Sequence, residues 1–288
     1  MRAPLDGDAA DVPSIPRVGI LSRKTIRSAI ERLQHVHGLL DPDSGFAALQ
    51  KASQTHNVKL RSVAAAVLSA EALPKSPRKR PPVLSFSARG GDSQPNRTHV
   101  LHDLLHSATE LCHADYGAVQ LRDPVHGGLI IEGQRGFDRD FLDFFSYIDD
   151  SGTACGTTVA ERSQTFVDDV ATSPIYTARD RDVVLGAGVR SVLSTPLRDA
   201  AGSVIGAVTT HFSAPHHSPD DAAASAIQRQ ADECAHWLTW YDATAMPRII
   251  TSVHNAARVA KVGESANRPR SRSAPSPASL RGGRAPAR

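Results

Sequence analysis

Ser53-Gln54-Thr55-His56-Asn57-Val58-Lys59-Leu60-Arg61-Ser62-Val63-Ala64 is the stretch on which the reading of the chain turns. From Leu60 onward the apolar residues Leu60, Val63, Ala64, Val67 and Leu68 fall at i, i+3, i+4, i+7 and i+8, one stripe of an amphipathic helix. Lys59 and Arg61 flank the first rung and must point away from it. A polar, basic face therefore adjoins an apolar ladder, inside a segment too small to house an enzyme.

Working outward, Asp41-Pro42 reads as a helix start, with Asp as N-cap and Pro at the first helical position. That helix is expected to run to about Thr55 and to bury Phe46, Leu49 and Ala52. An earlier helix spans Ser22 to Leu40, where Ile26, Leu33 and Leu40 repeat every seven residues with Ala29 and Val36 between them. Two readings of it stand side by side: a short coiled-coil seam for dimerisation, or a plain amphipathic helix of a monomeric bundle. The ladder helix ends before Pro74, which cannot continue it. The sum is a small all-α three-helix bundle over residues 19–73 behind a disordered leader, 1–18. Its core is thin, and a dimer would support it.

The chain has 288 residues and a net charge of +3, room for about two small domains with linkers. Residues 74–97 form a basic, Pro-rich linker, with Lys75, Arg78, Lys79, Arg80, Arg89 and Arg97 against Asp92 alone. Residues 246–288 read as a basic, mostly disordered tail, in which Arg268, Arg270, Arg272, Arg281, Arg284 and Arg288 meet no acid after Asn267. Such segments cannot bury a core. Cys112, Cys155 and Cys234 lie too far apart for a zinc spacing, so no metal is expected. The N-terminus has no apolar h-region and no run reaches the ~20 residues of a membrane helix. A cytoplasmic protein without a membrane partner is expected.

Residues 98–245 carry a mixed pattern. Leu101, Leu104, Leu105, Ala108, Leu111 and Cys112 mark a helix. Tyr116 to Arg122 and Leu129 to Arg135 pair as a hairpin about a Pro/Gly turn. Further strands are expected at Gln164 to Val167, Val189 to Leu197 and Ser203 to Phe212, with helices after Gly152, over Pro174 to Ala187, and from Pro219 to about Ala245. Helices at both ends of an antiparallel meander give an α+β domain with one sheet.

Four phrases in that domain carry a resemblance: Ala114-Asp115-Tyr116-Gly117-Ala118-Val119-Gln120-Leu121, Gly152-Thr153-Ala154-Cys155-Gly156, Gly188-Val189-Arg190-Ser191-Val192-Leu193-Ser194-Thr195-Pro196-Leu197 and Gly202 to Phe212. In this order and spacing they resemble a bacterial GAF domain of sensor kinases and regulators. Residues 22–72 resemble an ANTAR module, the RNA-binding three-helix unit of bacterial antiterminators. Phe46, Leu49, Ser53, Gln54, Asn57, Lys59, Leu60, Arg61, Val63 and Ala64 match its second half. In the first half Ile26, Ala29, Leu33, His37 and Gly38 match, while the family's Lys-Gly pair falls on Ile30-Glu31 and a basic position on Gln50.

The resemblance implies a cytoplasmic regulator in which RNA hairpins are met by Lys51, Gln54, Asn57, Lys59 and Arg61, using cations for phosphate and polar groups for exposed bases. Local chemistry alone favours Asn57 as the N-cap of the third helix. The GAF resemblance implies a cavity, with Cys155, Thr195 and His211 as ligand-pocket residues and a cofactor that the sequence leaves unknown. Trp237 and Tyr241 join Ile26, Leu33 and Leu40 as dimerisation residues, aromatics being frequent interface anchors. With no catalytic motif, the chain is not expected to be an enzyme. The leading expectation is transcription antitermination under sensory control. The alternative is a signalling scaffold that binds a small effector or a signalling protein and no RNA. A Cys155-dependent methionine sulfoxide reductase stands behind both.

Overall fold

Three helices, α1 (Arg17–His37), α2 (Pro42–His56) and α3 (Leu60–Leu68), build the head of the molecule. The computed structural model describes residues 17–70, 80–87, 96–149, 152–216 and 219–266. The expected disorder of the leader's first sixteen residues, of linker residues 74–79 and 88–95, and of the arginine-rich end from 267 lies outside the described residues.

Helix α1 begins one turn earlier than its sequence pattern predicts and stops at His37, where Gly38 takes φ +64°, a conformation that ends helices at little cost to glycine. Leu40 thus falls beyond the helix and is 65% exposed, whereas Ala29 and Leu33 are fully buried. Ala29 and Leu33 of the heptad pattern are spent inside the chain, chiefly where α1 packs on α3. Asp41 caps α2 as expected, its carboxylate accepting from Asp43 N–H at 2.9 Å. Phe46 stays partly exposed, while Ala48, Leu49 and Ala52 make the buried stripe.

The body follows with α4 (Arg97–Cys112), β1 (Tyr116–Arg122), β2 (Leu129–Arg135), α5 (Arg139–Phe144), α6 (Ala154–Glu161), β3 (Thr165–Val167), α7 (Ala178–Gly186), β4 (Ser191–Arg198), β5 (Val204–Phe212) and α8 (Asp221–Thr244). The sheet is antiparallel in the order β2-β1-β5-β4-β3, so β2 is an edge strand. Strand alternation divides two cores. Val119, Leu121, Leu193, Val208 and Phe212 pack under α4 and α8, while Ala118, Leu129, Val192 and Ala207 face α5, α6 and α7.

Two segments depart from the expected disorder. The tail reading of 246–288 is overturned over α9 (Met246–Ala266), whose Met246, Ile249, Ile250, Val253 and Ala257 are buried. Pro247 sits at its start, where proline fits, and the apolar i, i+1, i+4, i+8 pattern drives its docking against α2. The linker is likewise not free at 80–87. Leu84 and Phe86 pack on the core, and Ser85 donates from N–H and Oγ to Glu233 on α8 at 2.7 and 2.8 Å.

A cationic face meeting a bulged strand

The turn between α2 and α3 is set by Ser53, whose Oγ donates to the Val58 carbonyl at 2.7 Å while Val58 N–H returns to the Ser53 carbonyl at 3.0 Å. Asn57 lies in the left-handed region (φ 50°, ψ 49°) and its N–H reaches the Gln54 and Ser53 carbonyls. It therefore caps the end of α2 and not the start of α3. The N-cap of α3 is Lys59, whose ammonium can only donate and so makes no side-chain cap.

The residues expected to meet RNA are divided by the fold. Lys51, Gln54 and Asn57 are exposed along the end of α2. Lys59 and Arg61 instead turn onto the body. Lys59 Nζ lies 2.6 Å from Glu132 Oε2 and 3.1 Å from the Glu132 carbonyl oxygen, and Arg61 Nη2 lies 2.6 Å from Glu132 Oε1. The carboxylate is 9% exposed, against 40% for Lys59 and 23% for Arg61. Burial of Glu132 opposes its ionisation, but Arg61, Lys59 and Arg97 together outweigh this and hold the carboxyl below its ordinary range. It is ionised at neutral pH.

Glu132 is placed by an irregularity of the edge strand. Val119 pairs with Gly133 and Gln120 with Ile131, so Glu132 is the extra residue of a β-bulge. A bulge leaves one residue outside the ladder and re-aims its side chain; the carbonyl oxygen of this same residue is the one Lys59 reaches. Sequence reasoning missed Glu132. Its one visible signal is an acid inside Leu129-Ile130-Ile131-Glu132-Gly133, but a bulge cannot be read from one strand alone. Two clefts flank the Arg61–Glu132 pair. One, of about 270 Å³, includes Thr25, Arg97, Asp123 and Asp242; the other, of about 250 Å³, includes Val18, Gly133, Leu142 and Ser146.

The sheet's own pocket is separate and small. About 30 Å³ is left among Phe141, Phe145, Cys155, Tyr176 and His211, space for about one or two waters and far below the several hundred Å³ of a typical ligand site. His211 has Phe137 edge-on at 4.9 Å, and its Nδ1 is buried without a hydrogen-bond partner. Burial pushes its pKa down from 6.5 to about 3, so it is neutral. Cys155 lies in the first turn of α6, its Sγ 3.3 Å from Thr153 Oγ1. Thr195 does not join them: it faces α8, where Gln164 Nε2 donates to its Oγ1 at 3.0 Å. Cys112 and Cys234 belong to the core on the other side of the sheet. Trp237 and Tyr241, expected at a dimer interface, stack on each other at 5.2 Å with Trp237 1% exposed, because the sheet, α4 and α9 enclose α8.

Comparison with known proteins places this geometry. The GAF domain model matches residues 96–260, more than half of the chain, and the ANTAR domain model matches residues 19–68. The chain belongs to the GAF domain family and carries an ANTAR domain ahead of its GAF domain. Together they define an ANTAR-type regulator under a GAF sensory domain. No curated protein matches the chain. Among solved structures, it is similar to the domain of a putative two-component sensor histidine kinase protein from Sinorhizobium meliloti 1021, at 17% identity and TM-score 0.46, covering 54% of this chain and 99% of that one. A GAF domain/HD domain protein from Geobacter sulfurreducens gives 19% identity and TM-score 0.43, covering 52% and 96%. A type II free methionine-R-sulfoxide reductase from Thermoplasma acidophilum gives 16% and 0.36, covering 54% and 96%. Among the described residues no helix is long and apolar enough to cross a membrane, and no group of His, Cys, Asp and Glu could hold a metal ion.

Proposed function

We infer that the protein is a cytoplasmic RNA-binding regulator that favours transcription antitermination, its head engaging hairpins in nascent transcripts under control of the GAF domain. The observation that carries this reading is the cationic and polar set in the matched ANTAR domain. Lys51, Gln54 and Asn57 are exposed along the end of α2, and Lys59 and Arg61 follow across the α2–α3 turn, where Glu132 holds them. Cations there suit phosphate, and the amides suit the edges of unpaired bases. A dimer would bring two heads to paired hairpins, and the GAF domain would answer a small molecule or a signalling partner. Gel shifts with RNAs carrying two adjacent hairpins test the reading. Binding in dilute salt that weakens uniformly in Lys51→Ala, with the salt slope reduced by about 1, supports it; indifference to every structured RNA refutes it.

A second reading, a signalling scaffold whose head binds no RNA, is favoured by one observation: Glu132 already occupies Lys59 and Arg61. The reductase reading is disfavoured because Cys112 and Cys234 lie across the sheet from Cys155, leaving no resolving thiol in its core. The loss of thiol-dependent methionine sulfoxide reduction in Cys155→Ser would revive it.

A further inference from the structure

We propose that Lys59 and Arg61 form a two-pronged phosphate site whose occupant in this closed arrangement is Glu132, so that the bulged strand of the GAF domain and an RNA phosphate bind the head alternately. The inference rests on the RNA-binding reading above and assigns how that site is regulated.

Three observations carry it. First, Glu132 offers each cation its own carboxylate oxygen at 2.6 Å and adds its main-chain carbonyl to Lys59, the divergent set of acceptors that a phosphate would present to the same two groups. Second, the acid is put there by an extra residue in an edge strand, whose outward backbone acceptors have no partner strand. Third, clefts of about 270 and 250 Å³ both border the Arg61–Glu132 pair, and they leave room for a competing anion to approach it. Because Arg61, Lys59 and Arg97 outweigh burial and hold the Glu132 carboxyl below its ordinary range, neutral-range pH changes do not open it. Opening needs a competing anion or a shift of β2 transmitted from the GAF core, and an effector of that kind must prefer the open state.

The test uses the full chain and Glu132→Gln, which keeps the shape and removes the charge. Amine labelling of Lys59, read by peptide mass spectrometry with Lys51 as the internal control, needs no RNA. Lys59 is expected to label several-fold faster in the variant while Lys51 does not change; equal Lys59 rates in both proteins overturn the clasp. With a two-hairpin RNA in dilute salt, Glu132→Gln is expected to bind about tenfold more tightly than the parent, and adding Lys59→Ala and Arg61→Ala is expected to abolish the gain. If the parent binds as tightly as the variant through Lys59, the clasp is wrong and RNA recognition stands. If Lys59 is unmasked yet neither protein binds RNA, RNA recognition is wrong and Glu132 is a structural contact only. Glu132→Asp, one methylene shorter, is expected to fall between the two and serves should the Gln variant fold poorly.

Discussion

The head touches the body on two sides, and the sides are unlike in kind. Against α9 it buries Ala48, Leu49 and Ala52 in one core with Ile249, Ile250, Val253 and Ala257. The rim of that contact is polar: His37 Nε2 meets His254 Nδ1 at 2.7 Å, Lys261 donates to the Gly38 carbonyl, and Glu264 accepts from Leu40 N–H at 2.9 Å. Toward β2 and its neighbouring loops ion pairs and hydrogen bonds reach across, and Arg17 lies over the Tyr147 ring at 4.9 Å. Arg17 pairs with Asp149 at 3.1 Å, Thr25 Oγ1 meets His126 Nε2 at 3.1 Å, and Lys59 and Arg61 meet Glu132. Apolar burial is lost in proportion to the area re-exposed, whereas parting the Glu132 pairs returns all three charged groups to water or to a competing ion. The α9 side is thus a joint and the β2 side a latch.

The joint breaks most drastically at Val253, which has no exposure. Val253→Asp places an unpaired carboxylate there and is expected to cost roughly 3–5 kcal/mol. The expected outcome is loss of the head's cooperative melting in circular dichroism and rapid proteolysis within residues 17–70. A head that stays folded would show that α9 is not its fourth helix.

Leu33 tests the same side from α1. Leu33→Ala is expected to destabilise the protein by about 3 kcal/mol, as for other fully buried leucines, while native mass spectrometry reports unchanged stoichiometry. A dimer that dissociates without loss of chain stability would restore the heptad seam as an interface.

That case also marks what could be read in advance. The strands of the body, the α2 and α3 helices and the order of the two domains followed from local periodicity and caps, because each is fixed by neighbours within one turn or one hairpin. The failures concern what covers each apolar face. Ile26, Leu33 and Trp237 looked like interface residues because periodicity shows that a face is apolar and cannot show which element lies on it. Helix α9 was hidden because the acid-free, arginine-rich composition after Asn267 was extended back over Ile249 to Ala257. Lys59 and Arg61 were legible as cations pointing away from a core; their partner, seventy residues downstream on a bulge, was not.

pH separates the body from the latch. His211 is neutral in the fold, its pKa lowered from 6.5 to about 3. The stability this gives is present above the unfolded value and is lost as pH falls toward the folded one. At about pH 5 the expected loss is about 2 kcal/mol, seen as a lower melting temperature that His211→Gln makes less pH-dependent. Over the same range Glu132, also with a lowered pKa, stays ionised, so Lys59 labelling at matched amine ionisation should not rise. Labelling that climbs along with the melting change would mean that the latch is part of the GAF core's cooperative unit.

The smallest effect decides between two roles for one residue beside the latch. Asn57 holds φ 50° at the end of α2, a conformation in which asparagine is tolerated and glycine is preferred. Asn57→Gly keeps that cap and deletes the amide, so stability is expected to change by less than about 1 kcal/mol, whereas Asn57→Ala is expected to lose about 1 kcal/mol from the strained backbone. In the Glu132→Gln background, where the head is open, a residue that only caps leaves RNA affinity unchanged in Asn57→Gly. A residue that also reads a base loses affinity with no loss of stability, and then the exposed edge of α2 and the latched cations act as one surface, with Glu132 shutting only half of it.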